Sequence, residues 1–344
     1  MDLRGKKVSV GLSGGVDSAV TAALLKEAGA RVVGVFIKGW YPPGMPCTWS
    51  QDRRDAMRVA ARLGIPFQTL DASIEYKRGV IDYLLDEYRR GRTPNPDIMC
   101  NREVKFGAFA RYAQGQDADF IATGHYARQE GGQLLRGVDE GKDQSYFLWA
   151  IPQEALAMAL FPLGTLHKDE TRRLAQRFAL PNAQKKDSQG ICFLGQVSVE
   201  DFLKEKFGEA PGAAFDEEGK EIGTHNGALL HTIGERIHLE NALPGPWYVV
   251  RKDAEANALT VSRSRAERRS EATIGIRQAN WLSEPIPDEM LSAQYRYHGP
   301  KVAGKLSADR SSFIPAAPLA EALASGQSLV LYRGERCIGG GIIV

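Results

Sequence analysis

Residues Val10–Val20 read VGLSGGVDSAV, and the reading of this stretch decides the fold. Before it, Val8, Val10 and Leu12 make a short run rich in β-branched side chains, as a buried strand requires. After it, Ala19, Val20, Ala23, Leu24 and Leu25 recur at helical spacing, so a helix begins near Asp17. Gly14 and Gly15 therefore occupy a sharp strand-to-helix turn. Two consecutive residues without Cβ let backbone N–H groups close on a ligand above the helix start, where the dipole favours an anion. Ser13, Asp17 and Ser18 add hydroxyl and carboxylate groups able to bond that anion or its metal ion.

The same alternation continues outward. Arg31–Ile37 predicts a second strand, and Ala56, Val59, Ala60 and Leu63 a helix stopped by Gly64 and Pro66. Phe67–Leu70 reads as a third strand, and Val80, Ile81, Leu84, Leu85 and Tyr88 as a helix ended at Gly91. A helix from about Asn101 to Ala113 leads to the strand Phe120–Ala122, and another is expected over Leu166–Leu180. Strands separated by helices imply βαβ units and a parallel sheet covered on both faces. Ligands bind such sheets at the C-terminal strand ends, where Gly11–Ser18 and Thr123–His125 both fall.

Past Phe202 the pattern changes. PGAAFDEEGKEIGTHNGA is rich in turn residues and acids, and from about Ala272 five or six short strands suggest a small barrel. We expect three domains: 1–201, 202–271 and 272–344. At 344 residues, 43% hydrophobic and 25% charged, the chain has the composition of an ordinary soluble globular protein. It contains no apolar run of roughly 18 residues and no signal-peptide pattern, so no membrane role and a cytoplasmic location are expected. Four scattered cysteines, without CxxC spacing, point to a reducing compartment and exclude a disulfide scaffold. The net charge of +2 is uninformative, so any nucleic acid would be held by local basic patches.

Three motifs carry chemistry. SGGVDS after a strand lacks the Gly-Lys-Ser/Thr ending of a Walker A loop; it is the PP-loop signature of ATP pyrophosphatases, which cut ATP between the α and β phosphates. GRTPNPDIMCNREVKF, Gly91–Phe106, places Cys100 near a helix start, a position that favours the thiolate, with Lys105 close by. QKKDSQGICFLG, Gln184–Gly195, puts Cys192 in a polar, basic loop suited to a reactive thiol. Each has a plain alternative: a half-buried helix-start cysteine for Cys100, a strand for Ile191–Leu194. Together they suggest adenylation of an oxygen followed by sulfur delivery.

The order SGGVDS, RTPNPDIMCN, ATGHY, KDQSYFL, KKDSQGICF and CIGGGII closely resembles the bacterial tRNA-specific 2-thiouridylase family, from Val8 nearly to Val344. The resemblance implies an α/β fold: a parallel-sheet PP-loop domain of the adenine nucleotide α-hydrolase type, a small central domain and a C-terminal β-barrel. It implies ATP and Mg2+ at Gly11, Leu12, Ser13, Gly14, Gly15, Val16, Asp17 and Ser18, joined by Ile37 and Gly124. It implies catalytic roles for Cys100, for Cys192 as persulfide carrier and for Asp97 in proton transfer. Asn95, Pro96 and Asp97 would surround the target uridine. His125, Lys142, Asp143, Gln144, Arg296, Tyr297 and Gln327 would contact tRNA.

No resident metal is implied. The implied partners are tRNA and a sulfur-donor protein (a sulfur-relay protein or a cysteine desulfurase), with the chain itself a monomer. Where relatives carry a basic TIGQRKGL-like segment, this chain has TIGERIHLENALPGPW, Thr232–Trp247. Basic clusters at Arg89, Arg90 and Arg92, at Lys185 and Lys186, and over Ser262–Arg269 are the expected phosphate contacts. Two other readings stay open: a PP-loop synthetase that adenylates a small metabolite, and a non-enzymatic nucleotide sensor that binds RNA.

Overall fold

The computed structural model describes residues 2–42, 49–186, 198–242, 244–264, 273–319 and 323–344. The first strand β1 (Lys7–Gly11) leads into α1 (Val16–Glu27), as the opening stretch requires. Strands β2 (Arg31–Lys38), β3 (Phe67–Asp71) and β4 (Phe120–Ala122) follow. Together with the two-residue strand Ala159–Leu160 they form a wholly parallel sheet in which β1 lies between β2 and β4. Strand alternation splits the core in two. Val32 and Phe36 of β2 face one layer with α1, while Val35 and Ile37 face the other.

Helix α1 is apolar on nearly every side, because Ala19, Ala22 and Ala23 let the sheet and neighbouring helices approach closely. Helix α2 (Trp49–Leu63) buries only Ala56, Val59, Ala60 and Leu63, the stripe its spacing predicts. On the opposite face, α3 (Ser73–Tyr76), a π-helical stretch Lys77–Asp82 and α4 (Tyr83–Arg89) run as one rod. Beside it lies a second rod: α5 (Pro96–Met99), a π-helical stretch Cys100–Ala108 and α6 (Phe109–Gln114). This second rod starts earlier than the sequence suggests. Asn95 Oδ1 accepts the amides of Asp97 and Ile98 at 3.1 and 3.4 Å, and Pro96 sits at the first helical position.

A short hairpin follows β4: β5 (Ala127–Glu130) and β6 (Gln133–Arg136). Next come α7 (Gln153–Ala157), the strand Ala159–Leu160, which is β7, and α8 (Lys168–Arg177), shorter than the expected Leu166–Leu180. Helix α9 (Val199–Phe207), which the sequence reading missed, packs Phe202 and Leu203 into the core shared with α3–α6. Strands β8 (Gly212–Phe215), β9 (Glu221–His225), β10 (Arg236–Ile237), β11 (Trp247–Asp253) and β12 (Ala258–Ser262) form a second sheet. Its order is β10-β11-β12-β8-β9, and a bridge between Thr224 and Glu240 draws its ends together.

The last sheet contains β13 (Ile274–Trp281), β14 (Leu291–Gln294), β15 (Lys301–Leu306), β16 (Ser312–Pro315), β17 (Ser328–Arg333) and β18 (Arg336–Ile343). Pairing of β13 with β18 closes it into a barrel around Ile276, Leu291, Phe313, Leu329 and Ile338. The first part of β18 also pairs with β6, so the hairpin of the opening segment extends the barrel sheet. Val330, Tyr332, Cys337 and Ile342 of the barrel join the same apolar core as the π-helical rods.

Candidate active site

At the strand order β2-β1-β4 the chain leaves β1 and β4 in opposite directions, which opens a crevice at their C-terminal ends. Gly11, Leu12, Ser13, Asp17, Ser18, Ile37, Lys105, Thr123, Gly124, His125 and Gln144 line a cavity of about 190 Å³ there. Gly14 adopts φ +78°, and a Cβ on it would lie 2.5 Å from the Asp52 carbonyl oxygen, so the turn needs glycine. Ser18 Oγ accepts the Ser13 amide at 3.2 Å and donates to the Gly15 carbonyl at 3.2 Å, which fixes the turn from inside. No side chain caps α1 at Gly15, so its first-turn amides are left for an anion. Gly124 closes the opposite wall: a Cβ there would meet Ser18 N at 2.8 Å and Asp17 C at 2.9 Å.

Two residues missed in the sequence hold the Asp17 carboxylate of this site. Lys168 Nζ reaches both Asp17 carboxylate oxygens, at 2.7 and 2.8 Å, and Tyr126 donates its hydroxyl to Asp17 Oδ1 at 3.0 Å. Lys168 begins α8 just beyond the two-residue strand β7, which is too short to show a period. His125 is buried, its Nδ1 2.7 Å from Thr123 Oγ1 and its Nε2 3.5 Å from Lys105 Nζ. Burial and then the Lys105 charge hold its imidazole well below the usual value, so it is neutral at pH 7. Gln144 is pinned to Tyr126 twice: its amide nitrogen donates to the Tyr126 carbonyl, and its Oε1 accepts the Tyr126 amide. Asp143 is engaged internally too, accepting from Gly137 N, Ser145 N, Ser145 Oγ and Arg136 Nη1.

Cys100 is fully buried, and the helix expected to begin near Asn101 begins at Pro96 instead. It lies one turn inside, with its amide bonded to the carbonyls of α5. The i→i+5 pattern of the π-helical stretch makes Cys100 and Lys105 neighbours one wide turn apart, and Lys105 lines the cavity. Asp97 Oδ1 is shielded from solvent and has no hydrogen-bond partner. Cys192 lies outside the described residues. The chain leading to it is tied to the PP-loop side of the site: Asn182 Nδ2 donates to the Gly14 carbonyl at 3.0 Å, and Lys185 Nζ bonds Asp52 and Asp55 at 2.9 Å each.

The remaining expected residues lie around the barrel. Arg296 and Tyr297 follow β14, and the Tyr297 ring stands 4.4 Å from Phe147, beside the KDQSYFL segment that carries Lys142. Gln327 turns inward and donates to the Thr93 carbonyl at 2.8 Å. Of the basic clusters, Arg92 is committed to a bidentate pair with buried Glu87, and Lys185 to the two aspartates. Neither is available as drawn from the sequence.

Three family models match in succession: a tRNA methyl transferase HUP domain over residues 6–196, a tRNA methyl transferase PRC-barrel domain over 200–263, and an aminomethyltransferase β-barrel domain over 271–343. The tRNA-specific 2-thiouridylase MnmA of Streptococcus thermophilus is 43% identical over 357 residues, covering 98% of this chain and 95% of that one. Among solved structures, the U34-tRNA thiolase NcsA of Methanococcus maripaludis is 19% identical, with a TM-score of 0.38 over 60% of this chain and 68% of that one. NMN synthetase from Francisella tularensis is 18% identical, with a TM-score of 0.37 over 58% and 72%. With its near-complete length matched at that identity, the chain belongs to the tRNA-specific 2-thiouridylase family.

Proposed function

We propose that this protein thiolates C2 of the wobble uridine of tRNA at the expense of ATP. The observation that carries the reading is the 43% identity to a tRNA-specific 2-thiouridylase along 98% of the chain. The geometry supports the ATP half: uncapped α1 amides, the Gly14 turn and the Gly124 wall form a cradle for phosphates at the crevice. Mg2+ would be carried by those phosphates and water, with Asp17 as the carboxylate of the cavity wall; it would offset the charge of the departing pyrophosphate.

The proposed chemistry runs in three exchanges. The uridine, flipped from the anticodon loop, attacks the α-phosphorus through its C2 oxygen, and pyrophosphate leaves. Asp97 assists the accompanying proton transfer. The terminal sulfur of a persulfide on Cys192 then bonds to C2, and AMP departs with the former oxygen. Cys100 thiolate attacks the Cys192 sulfur, breaking the S–S bond; 2-thiouridine and a Cys100–Cys192 disulfide remain for an external reductant. In a second order of events Cys100 first releases hydrosulfide from the persulfide, and hydrosulfide attacks C2. That identity, together with the motif cysteines Cys100 and Cys192, is why the transferred group is read as sulfur rather than methyl.

Asn95, Pro96 and Asp97 would surround the base, and Lys142, Arg296 and Tyr297 would face the RNA. His125, Asp143 and Gln144 would act behind them, since their polar groups bond within the protein. A sulfur-donor protein, a monomeric state, a cytoplasmic location and the division 1–201, 202–271 and 272–344 belong to the same reading. Among the described residues no helix is long and apolar enough to cross a membrane. The deciding experiment is mass analysis of nucleosides after incubation with unmodified tRNA, ATP and a sulfur source. The expected product is 2-thiouridine with AMP and pyrophosphate; AMP release with a metabolite and no modified nucleoside would return the reading to a small-molecule synthetase.

A further inference from the structure

The loop that carries Asn95 and Asp97 is held at its base by the barrel. Thr93 is buried, and both of its backbone groups are taken by one barrel turn: its amide donates to the Ser325 carbonyl at 2.8 Å, and its carbonyl accepts Gln327 Nε2 at 2.8 Å. Between these contacts Gly326 adopts φ +92°, and a Cβ on it would lie 2.9 Å from Thr93 N and 3.0 Å from Thr93 C and O. Only glycine permits that approach. The turn is itself fixed to β18, since Gly326 N donates to the Ile343 carbonyl at 2.9 Å and Ile343 N to the Gln327 carbonyl at 2.8 Å.

A second tie lies one residue upstream. The Glu87 side chain, 5% exposed, accepts Arg92 Nε and Nη2 at 2.7 and 2.6 Å and Arg277 Nη2 of β13 at 2.5 Å. Opposite, Thr93 Oγ1 meets Thr232 Oγ1 of the central segment at 3.4 Å. From this fixed point the chain has little freedom: Pro94 and Pro96 restrict φ, Asn95 caps α5, and Asp97 and Cys100 follow within its first turns.

We propose that the turn Ser325–Gln327 is a splint for the Thr93–Asp97 loop, which makes Gln327 a positioning residue acting through Thr93 rather than an RNA contact. The proposal rests on the thiolation reading for its consequence, because Asp97 and Cys100 are the groups set in place. Its geometric content does not depend on that reading. A displacement of about 1 Å at a reacting group lowers a rate by up to about a hundredfold.

The test uses full-length Gln327→Met, which keeps length and apolar bulk but cannot donate, and Gly326→Ala, which pushes the turn off Thr93 without altering any polar side chain. With unmodified tRNA transcript, ATP, a thiol reductant and a sulfane-sulfur donor (a cysteine desulfurase with cysteine), each should lower the rate of 2-thiouridine formation at saturating tRNA about tenfold or more. The Kd for the transcript should change by less than about twofold. Amide exchange in the peptide 91–99 should accelerate in the RNA-free protein. A weakened tRNA Kd with an unchanged saturated rate would assign Gln327 to the RNA and overturn the proposal, as would unchanged amide exchange in both variants. Exchange is read without any substrate, so a wild-type protein that makes no 2-thiouridine defeats the functional reading and leaves the splint to be judged separately.

Discussion

Lys168 Nζ stands within 2.8 Å of both carboxylate oxygens of Asp17, binding the first turn of α8 to the first turn of α1 at a residue of the cavity wall. Without that cation, Asp17 would present its full negative charge to the incoming phosphates. Lys168→Met should weaken ATP binding about tenfold to a hundredfold, the range for losing a charge-assisted bond. Equilibrium dialysis with ATP decides it; wild-type affinity in the variant would remove Lys168 from the site.

The Gly124 wall offers a steric test. Its missing Cβ faces backbone atoms of Asp17 and Ser18, which cannot swing aside as a side chain would. Gly124→Ala should destabilise the fold by about 1–3 kcal/mol and distort the α1 amides. Urea unfolding and ATP binding should both register the change. An unchanged ATP affinity shows that this wall does not shape the nucleotide site.

The two cysteines to which we assign the sulfur chemistry should be needed for thiolation and not for ATP binding. Cys192→Ser and Cys100→Ser should each abolish 2-thiouridine formation while ATP affinity stays at the wild-type value. Normal thiolation by Cys192→Ser refutes the persulfide assignment. Because the proposed cycle ends in a disulfide, the wild-type enzyme without reductant should stop after about one turnover.

RNA affinity should be steeply salt-dependent. Each phosphate neutralised by Lys or Arg adds roughly one unit to the slope of log K against log salt. Arg92 and Lys185 are bound to carboxylates, so Arg92→Gln should leave that slope unchanged while lowering stability. Arg296→Gln should reduce the slope by about one. A flat response in the wild-type protein argues against phosphate contacts altogether.

His125 gives the molecule a pH signature. Burial, and then the Lys105 charge, hold its folded pKa well below the ordinary imidazole value of about 6.5. Above about pH 6.5 neither state protonates it; below that the unfolded chain gains a proton the folded one refuses, so stability falls as pH drops. The slope from this one group approaches about 1.4 kcal/mol per pH unit. Urea midpoints at pH 7, 6 and 5 should fall less in His125→Gln than in the wild type. Parallel declines would mean that the imidazole charges inside the fold.

The parallel sheet was legible because its strands are β-branched runs between helical periods, and SGGVDS marked the crevice directly. The barrel strands were legible in outline for the same reason. What escaped detection had weak local signals. The hairpin β5–β6 is made of charged and mixed residues, ARQE and QLLR, and is stabilised by its partner β18 rather than by its own pattern. The start of α5 was misplaced because Asn95 and Pro96 read as loop residues, although cap-then-proline is a helix start signal. The π-helical stretch around Cys100 has no sequence period to betray it. Asp143 and Gln327 look like surface polar residues along the chain; only the tertiary structure shows their partners.

Strand pairing between β6 and β18 has a consequence for biosynthesis. Arg128 and Glu335, which bond at this junction, are 207 positions apart. During translation the hairpin therefore emerges long before the strand that covers its flank, leaving a bare sheet edge on the ribosome-bound chain. Truncation ahead of Arg336 would make that interval permanent, and the shortened product should self-associate through the uncovered hairpin.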